Sequence, residues 1–208
     1  MKIALVTGGF DPLHSGHLAY LREARKLADE LWVGVNSDEW LTRKKGKPFM
    51  PLQERLEIID NLVMTSKVFA FQDDDDTAIE AIKQTLNDTN VSEVIFCNGG
   101  DRTKDNIPEQ NAFNGNDKVN FVFGVGGNDK KNSSSWILED YKHPKTDRPW
   151  GYYRVLFGVG NNVKLKELTV DPGQRLSMQR HQHRTEHWFV SEGTATVYTI
   201  NVSSDQEL

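Results

Sequence analysis

Two histidines, His14 and His17, lie three residues apart shortly after an apolar run, residues 3–6. The run predicts a strand and the residues after His17 predict a helix, so the pair occupies a strand-to-helix turn. A separation of three places both imidazoles on one face of the first helical turn. Free backbone N–H groups and the helix dipole favour phosphate at this position, and Gly16 leaves room for its approach. The pattern therefore predicts a phosphate site.

The segment 7–17 as a whole resembles the H-x-G-H signature of the cytidylyltransferase-like nucleotidyltransferases. The resemblance implies that His14 and His17 are catalytic and stabilise the phosphates of a nucleoside triphosphate. Asp11 is expected to orient the site, with or without a metal ion. The residues expected to bind the nucleotide here are Thr7, Gly8, Gly9, Phe10 and Asp11.

Two further pieces of the family pattern follow in the same order along the chain. Residues 43–47 resemble the flexible lysine loop of the family, and Arg55 resembles its helix-borne, nucleotide-binding arginine. Lys45, which precedes a glycine, fits the sugar-phosphate adenylyltransferase branch (the ADP-heptose synthase type). Lys44 fits the spacing in the glycerol-3-phosphate cytidylyltransferases. One of the two lysines is expected to reach the triphosphate as a catalytic group, and the sequence leaves the choice open.

Two later segments resemble the parts of the family site that hold the nucleotide. The loop 99–102 resembles the one that holds base and ribose, and its expected binding residues are Gly100, Asp101 and Arg102. A serine triplet, Ser133, Ser134 and Ser135, stands where the family has a Ser-Thr-Thr type triplet at a helix N-terminus, which suits phosphate oxygens. Residues 129–132 depart from the cytidylyltransferase pattern, so CTP and ATP both stay open.

The reaction implied by the resemblance is in-line displacement at the α-phosphorus of CTP or ATP. The attacking group is a phosphate oxygen of a sugar- or polyol-phosphate, and pyrophosphate leaves. The protein supplies position and positive donors around the developing charge. Mg²⁺ is the expected cofactor, bound with the triphosphate.

Apolar runs alternate with helical patterns over the first 140 residues, which predicts an α/β fold, a Rossmann-like parallel sheet with helices on both faces. The predicted strands are residues 3–6, 31–35, 68–71, 93–98 and 120–125. Ligands bind beyond the carboxyl ends of such strands. Asp38 follows the second strand and is therefore expected to bind the substrate. The acidic run 73–76 is predicted to be a helix start and solvated loop rather than a metal site.

Residues 141–150 carry two prolines, four charged side chains and a histidine, which predicts a linker. Beyond it lie β-type runs at 152–157, 163–170, 188–190 and 194–202. We therefore predict a nucleotidyltransferase domain at 1–142 and a small all-β domain at 148–208.

The second region resembles the first metal motif of cupins, and more narrowly the cupin domain of type II mannose-6-phosphate isomerases. His181 and His183 alternate so as to face one way on a strand, and Glu186 would complete three ligands. Such a set suits a divalent transition metal. The chain stops 15 residues after Gly193, before the second cupin motif, so the expected domain is a partial cupin. Its open edges must be paired or covered, which predicts a homodimer; a docking module without metal is the alternative.

The bulk composition argues against some classes of partner. A net charge of −5 and a pI near 5.7 disfavour nucleic acid and anionic membranes. One cysteine, Cys97, excludes a disulfide framework. No apolar run reaches transmembrane length and no signal-peptide pattern is present, so we expect a soluble, cytoplasmic protein. The leading hypothesis is a nucleotidyltransferase. The alternatives are a cupin-type sugar-phosphate isomerase or epimerase and a nucleotide-binding assembly protein without turnover.

Overall fold

The computed structural model of the chain describes residues 1–99, 102, 107–127, 133–159, 163–179, 181, 183 and 185–198. Its first sheet has five strands: β1 (Lys2–Gly8), β2 (Glu30–Val35), β3 (Lys67–Ala70), β4 (Glu93–Cys97) and β5 (Val119–Val122). The described helices are α1 (Ser15–Arg25), α2 (Asp38–Lys45), α3 (Leu52–Asp60), α4 (Ile79–Leu86), α5 (Pro108–Ala112) and α6 (Ser134–Lys142). The strands are all parallel, in the order β3-β2-β1-β4-β5.

Both faces of this sheet are covered. Ile3 and Leu5 of β1 belong to one buried cluster, which includes Ile82 of α4. The alternate residues Ala4 and Val6 belong to a second buried cluster, on the face covered by α1 and α3. Burial on both faces explains why the strands read as nearly continuous apolar runs. The predicted α/β fold is therefore confirmed.

The strand order reverses at β1. The chain pairs β1 with β2 on one side and later returns to pair β1 with β4 on the other. This reversal opens a crevice beyond the carboxyl end of β1, where the segment leading to His14 lies. The fold therefore positions the histidine pair at the place where such sheets bind ligands.

Two helices of the first region, α2 and α5, are not predicted from the sequence. The predicted lysine loop is in part helical, because Lys44 and Lys45 form the last turn of α2. Only Leu41 of the eight residues of α2 is buried, so the helix has no apolar period to reveal it. The short α5, five residues long, lies in the polar connection between β4 and β5.

The second sheet is antiparallel and has three described strands: β6 (Thr146–Arg148), β7 (Gly151–Val159) and β8 (Val163–Val170). The strands predicted at 152–157 and 163–170 are present, and β6 lies inside the predicted linker. The strands predicted at 188–190 and 194–202 are not: residues 188–190 and 194–198 are not strands, and residues 199–202 lie outside the described part. A β-type sequence becomes a strand only when a neighbour takes up its backbone groups.

No helix in the described part of the chain is both long enough and apolar enough to cross a membrane.

Candidate active site at the start of helix α1

The two histidines cap the helix that they begin. His14 is the N-cap residue of α1, and its Nδ1 accepts a hydrogen bond from the Gly16 backbone N–H at 3.1 Å. The His17 Nδ1 accepts one from the His14 backbone N–H at 3.3 Å. The rings stack, with centroids 3.8 Å apart. Since both Nδ1 atoms are acceptors, the proton of each neutral imidazole lies on Nε2.

Burial keeps this pair neutral. The pKa of His17 is lowered to about 3, first by burial and then by the neighbouring His14 and Lys45. The pKa of His14 is also lowered, first by burial and then by Lys45. Both imidazoles are thus uncharged Nε2–H donors at neutral pH, beside a lysine. Each neutral imidazole can therefore donate a hydrogen bond from its Nε2–H to an anion, and neither ring has to lose a proton first.

The two candidate lysines point to different places. The Lys45 Nζ donates to the backbone oxygen of Asp11 at 3.1 Å, on the histidine side of α2. Burial lowers the pKa of Lys45, partly opposed by Asp11. The Lys44 Nζ instead lies over the ring of Trp40, 4.4 Å from its centroid. Lys45 is therefore the lysine that the structure brings to the histidines.

Asp11 is buried and organises the loop opposite the histidines. Its Oδ2 accepts from the Phe49 backbone N–H at 2.7 Å, and its Oδ1 accepts from that of Met50 at 2.8 Å. The residue is 1% exposed. Its orienting role stays a prediction, and a carboxylate bonded at both oxygens to the backbone is a poor direct metal ligand.

Arg55 is buried and forms an ion pair with the partly exposed Asp38. The Arg55 guanidinium, whose side chain is 0% exposed, donates to the backbone oxygens of Gly9, Asn36 and Met50. It also donates to the Asp38 Oδ1 at 2.6 Å. The other Asp38 oxygen accepts from the Leu52 backbone N–H at 3.1 Å. These hydrogen bonds hold the crevice loops together, and the binding roles of Arg55 and Asp38 stay predictions.

Residues 7–10, at the end of β1 and just after it, differ in their burial. Phe10 is 3% exposed, and its ring meets that of His17 edge to face at 5.1 Å. A side chain at Gly8 would contact the Phe10 ring at 3.1 Å, and one at Gly9 would collide with Leu41 at 2.9 Å. Phe10 therefore packs against the His17 ring, and its predicted contact with a nucleotide stays a prediction. Thr7, Gly8 and Gly9 are half-buried.

The serine triplet lies beside the histidine loop. Ser133 is the N-cap of α6, and its Oγ accepts from the Trp136 backbone N–H at 3.1 Å. Ser134 is 7% exposed, and its Oγ donates to the backbone oxygen of Pro12 at 2.9 Å. Ser135 is exposed. The start of α6 thus lies against the segment that carries His14, and Ser134 serves to hold it there.

The predicted base-binding loop is only partly described. Arg102 is exposed. Gly100 and Asp101 lie outside the described residues. A side chain at Gly99, which precedes them, would meet the Val125 backbone oxygen at 2.9 Å, so this position requires glycine.

One buried acid was missed. Asp73 was predicted to be solvated, but it is 2% exposed and accepts hydrogen bonds from the side chain of Asn36 and from both the N–H and the hydroxyl of Ser37. Its partners lie 36 and 37 residues away, so the local sequence gave no sign of them. The run of four acids was the available signal, and it was interpreted as a solvated loop.

The predicted cupin metal site is not formed among the described residues, which hold no group of three potential metal ligands. The His181 Nε2 lies 3.4 Å from the Glu186 Oε1, but His183 does not complete a triad with them. The prediction assumed a strand that would turn both histidines to one side. Neither described residue of that pair lies in a strand, so the alternation is absent.

Two family models match separate parts of the chain. Residues 5–134 match the model described as cytidylyltransferase-like, and residues 138–206 match the model described as mannose-6-phosphate isomerase C-terminal.

Individual relatives show the same kind of similarity. The chain is 38% identical over 130 residues to the bifunctional protein HldE of Proteus mirabilis, which covers 60% of this chain and 26% of the relative. It is 37% identical over 134 residues to that of Haemophilus ducreyi, covering 62% and 26%. The chain thus spans about a quarter of the length of these relatives. A crystal structure of the lipopolysaccharide core biosynthesis protein from Thermoplasma volcanium is 28% identical, with a TM-score of 0.48, and covers 62% of this chain and 98% of that one.

Proposed function

We propose, since the chain belongs to the cytidylyltransferase-like family, that it is a nucleotidyltransferase acting on a nucleoside triphosphate and a sugar- or polyol-phosphate, with release of pyrophosphate. The two family matches confirm both resemblances drawn from the sequence. The observation that carries the proposed activity is the stacked pair of neutral, helix-capping imidazoles beside Lys45 at the crevice of the sheet.

The histidines would act as fixed hydrogen-bond donors. Their Nδ1 atoms are held by the backbone of α1, so each Nε2–H has a defined direction before the substrate arrives. Donors that are fixed in advance stabilise charge that develops in the transition state without reorganising. The start of α1 adds backbone N–H groups and the positive end of its dipole. The triphosphate would therefore lie across the start of α1.

Lys45 would supply the positive charge beside these donors. Its amine is bonded to the Asp11 backbone oxygen at 3.1 Å and affects the pKa of both histidines. Because Lys45 precedes Gly46, as in the sugar-phosphate adenylyltransferase branch, we take ATP rather than CTP as the nucleotide and a sugar phosphate as the acceptor. Lys44, which packs on Trp40, has no direct part in this proposal.

Mg²⁺ would enter as part of the Mg–triphosphate substrate. The described residues hold no cluster of metal-ligating side chains, and both Asp11 oxygens accept backbone N–H groups. Mg²⁺ is commonly bound through substrate phosphates and water with few protein ligands, so this chain's residues are compatible with that mode. Isomerase or epimerase chemistry in the second region receives no such support, since its three predicted ligands do not converge.

Pyrophosphate release decides the proposal. We expect the protein to release pyrophosphate from ATP with Mg²⁺ when a suitable sugar phosphate is supplied from a panel, and CTP is tested in parallel. His17→Ala is expected to lower the rate on the order of 10²-fold or more, because a donor to the developing charge is lost. Ser15→Ala, an exposed neighbour in the same turn, is the matched control and should retain the rate.

The stability of each variant is checked by thermal unfolding. His17→Ala also removes the capping acceptor for the His14 N–H, which is expected to lower the free energy of unfolding by about 1 kcal/mol. If His17→Ala releases pyrophosphate at the wild-type rate, the assignment of the active site to His17 is wrong, although the protein is then still a nucleotidyltransferase.

A further inference from the structure

The helix that carries Lys45 is attached mainly by polar contacts. Only Leu41 of its eight residues is buried, so burial of apolar surface does little to fix its direction. Two hydrogen-bonded networks, joined through Asn36, hold its first turn. One is the network in which Arg55 contacts Asp38. The other comes from the acidic segment after β3, which also reaches the last turn.

At the first turn, Asp73 binds the N-cap residue of α2. Its Oδ1 accepts from the Ser37 hydroxyl at 2.6 Å, and its Oδ2 accepts from the Ser37 backbone N–H at 2.8 Å. The Ser37 Oγ in turn accepts from the Trp40 backbone N–H at 3.0 Å. A buried carboxylate at this end also interacts favourably with the helix dipole. Asp73 therefore fixes where α2 begins.

At the last turn, the same segment holds Arg43. The Arg43 Nη2 donates to the Asp73 backbone oxygen at 2.6 Å, and its Nε and Nη2 both donate to the Asp76 Oδ1 at 3.1 and 3.0 Å. Arg43 lies two residues before Lys45. The segment 73–76 thus contacts α2 at both ends. The last turn, which it contacts through Arg43, also carries Lys45.

We propose that the segment 73–76, acting through Asp73 and Arg43, sets the position of Lys45 over the crevice, so that Asp73 and Arg43 are positioning residues for the reaction. This inference rests on the proposed function of Lys45. The acidic run is accordingly a clamp on a helix rather than a binding site of its own.

Non-additivity is the test, because a residue that acts through Lys45 has nothing to act on once Lys45 is removed. We expect Lys45→Ala to lower kcat for pyrophosphate release about 10²-fold and Arg43→Ala to lower it roughly tenfold. In the Lys45→Ala background, Arg43→Ala should change kcat by less than about twofold. Asp73→Asn, in which an amide N–H replaces one acceptor, should follow the same pattern. An equal loss in both backgrounds, or no loss in the wild-type background, overturns the proposal.

Lys83→Ala is the matched control. It breaks the Lys83–Glu80 pair on α4, whose side chains are 54% and 38% exposed, compared with 38% and 66% for Arg43 and Asp76. This control should leave kcat unchanged. If the loss of any surface ion pair lowered kcat, Lys83→Ala would lower kcat as much as Arg43→Ala does.

A second measurement needs no turnover and separates this inference from the proposed function. The lysines are reductively methylated with ¹³C, and the pKa of Lys45 is followed by NMR, with the signal assigned by its loss in Lys45→Arg. The pKa is lowered by burial in the folded protein and is expected to rise toward its ordinary value in Arg43→Ala. An unchanged pKa overturns the positioning role. Failure of the wild-type protein to release pyrophosphate would overturn the proposed function alone.

Discussion

His17 combines a role in the fold with the proposed chemistry, and its burial links both to pH. Its Nδ1 is an acceptor in the capping arrangement of α1, and burial, with smaller contributions from His14 and Lys45, lowers its pKa to about 3. In the unfolded chain the same ring has an ordinary pKa of about 6.5. Between these values the unfolded state binds a proton that the folded state does not, so stability rises with pH there.

We therefore predict that acid weakens the fold through His17. Lowering the pH from 7 to 5 should reduce the free energy of unfolding of the wild type by about 2 kcal/mol more than that of His17→Gln. Glutamine at this position keeps the capping acceptor and removes the titrating ring. Urea unfolding at the two pH values measures the difference. Equal pH dependence in the two proteins would show that His17 is not held neutral.

At the residue scale, site residues that lie within one short segment could be predicted from the sequence, and contacts between residues far apart along the chain could not. His14 and His17 were recognisable because motif, turn and helix start occupy one short segment. Apart from Met50, the side-chain hydrogen-bond partners of Arg55 and of the Asp73 carboxylate lie 17 to 46 residues away in the sequence. The choice between Lys44 and Lys45 required the direction of two adjacent side chains. Neither a spacing nor a composition carries that information.

At the scale of elements, helix α1 packs closely on the loop that follows β5. The Tyr20 hydroxyl donates to the Cys97 backbone oxygen at 2.5 Å, and a side chain at Gly126 would meet the Tyr20 Cα at 2.8 Å. Gly126 has a φ of +89°, and Gly127 has a φ of +90° with open space around it. Two adjacent glycines thus share a backbone conformation but differ in crowding.

Alanine at these two positions separates strain from collision. Gly127→Ala is expected to lower the free energy of unfolding by about 1 kcal/mol, the cost of a positive φ for a residue with a Cβ. Gly126→Ala should lower it by roughly 2 kcal/mol more, because the new methyl group collides with helix backbone that cannot rotate away. Denaturant unfolding of both variants provides the comparison. If the two lose the same stability, the close approach of α1 to this loop is not maintained in solution.

The elements that the sequence predicted well are those whose burial leaves a pattern. All five parallel strands were predicted, and burial on both faces makes the central strands β1, β2 and β4 apolar runs. Helix α2 was missed because polar contacts from Asp73, Arg43 and Arg55 hold it, with only Leu41 buried. Residues 188–190 were predicted as a strand from β propensity alone, which specifies a strand only where a partner is present.

At the scale of the whole molecule, the C-terminal sheet leaves large apolar side chains exposed. Phe157 and Leu165 are paired across β7 and β8, and they are 55% and 56% exposed. Neighbouring apolar residues, Val159 and Val163, are 57% and 56% exposed. Contiguous apolar patches of this kind mark interaction surfaces, and the outer strands β6 and β8 have unpaired edges among the described residues. The division into 1–142 and 148–208 stays a prediction.

We predict that this surface joins two copies of the chain. Light scattering at micromolar concentration should give a homodimer for the wild type and a monomer for the double variant Phe157→Glu, Leu165→Glu, because two charges would be buried in the contact. Ile58→Glu, at an exposed apolar position of α3 (38% exposed), is the control and should remain dimeric. A monomeric wild type, or a double variant that still dimerises, would exclude the role of this surface.

Helix α6 is shared by the two regions. At its start, the Ser134 Oγ donates to the backbone oxygen of Pro12, and at its end Asp140 accepts from the Arg154 Nη2 at 2.8 Å. A chimaera that exchanges the C-terminal region for another should therefore be spliced after His143. A splice before Ser133 would also exchange the hydroxyl that ties the helix to the histidine loop. The suitable splice point for such a chimaera thus lies at the end of α6.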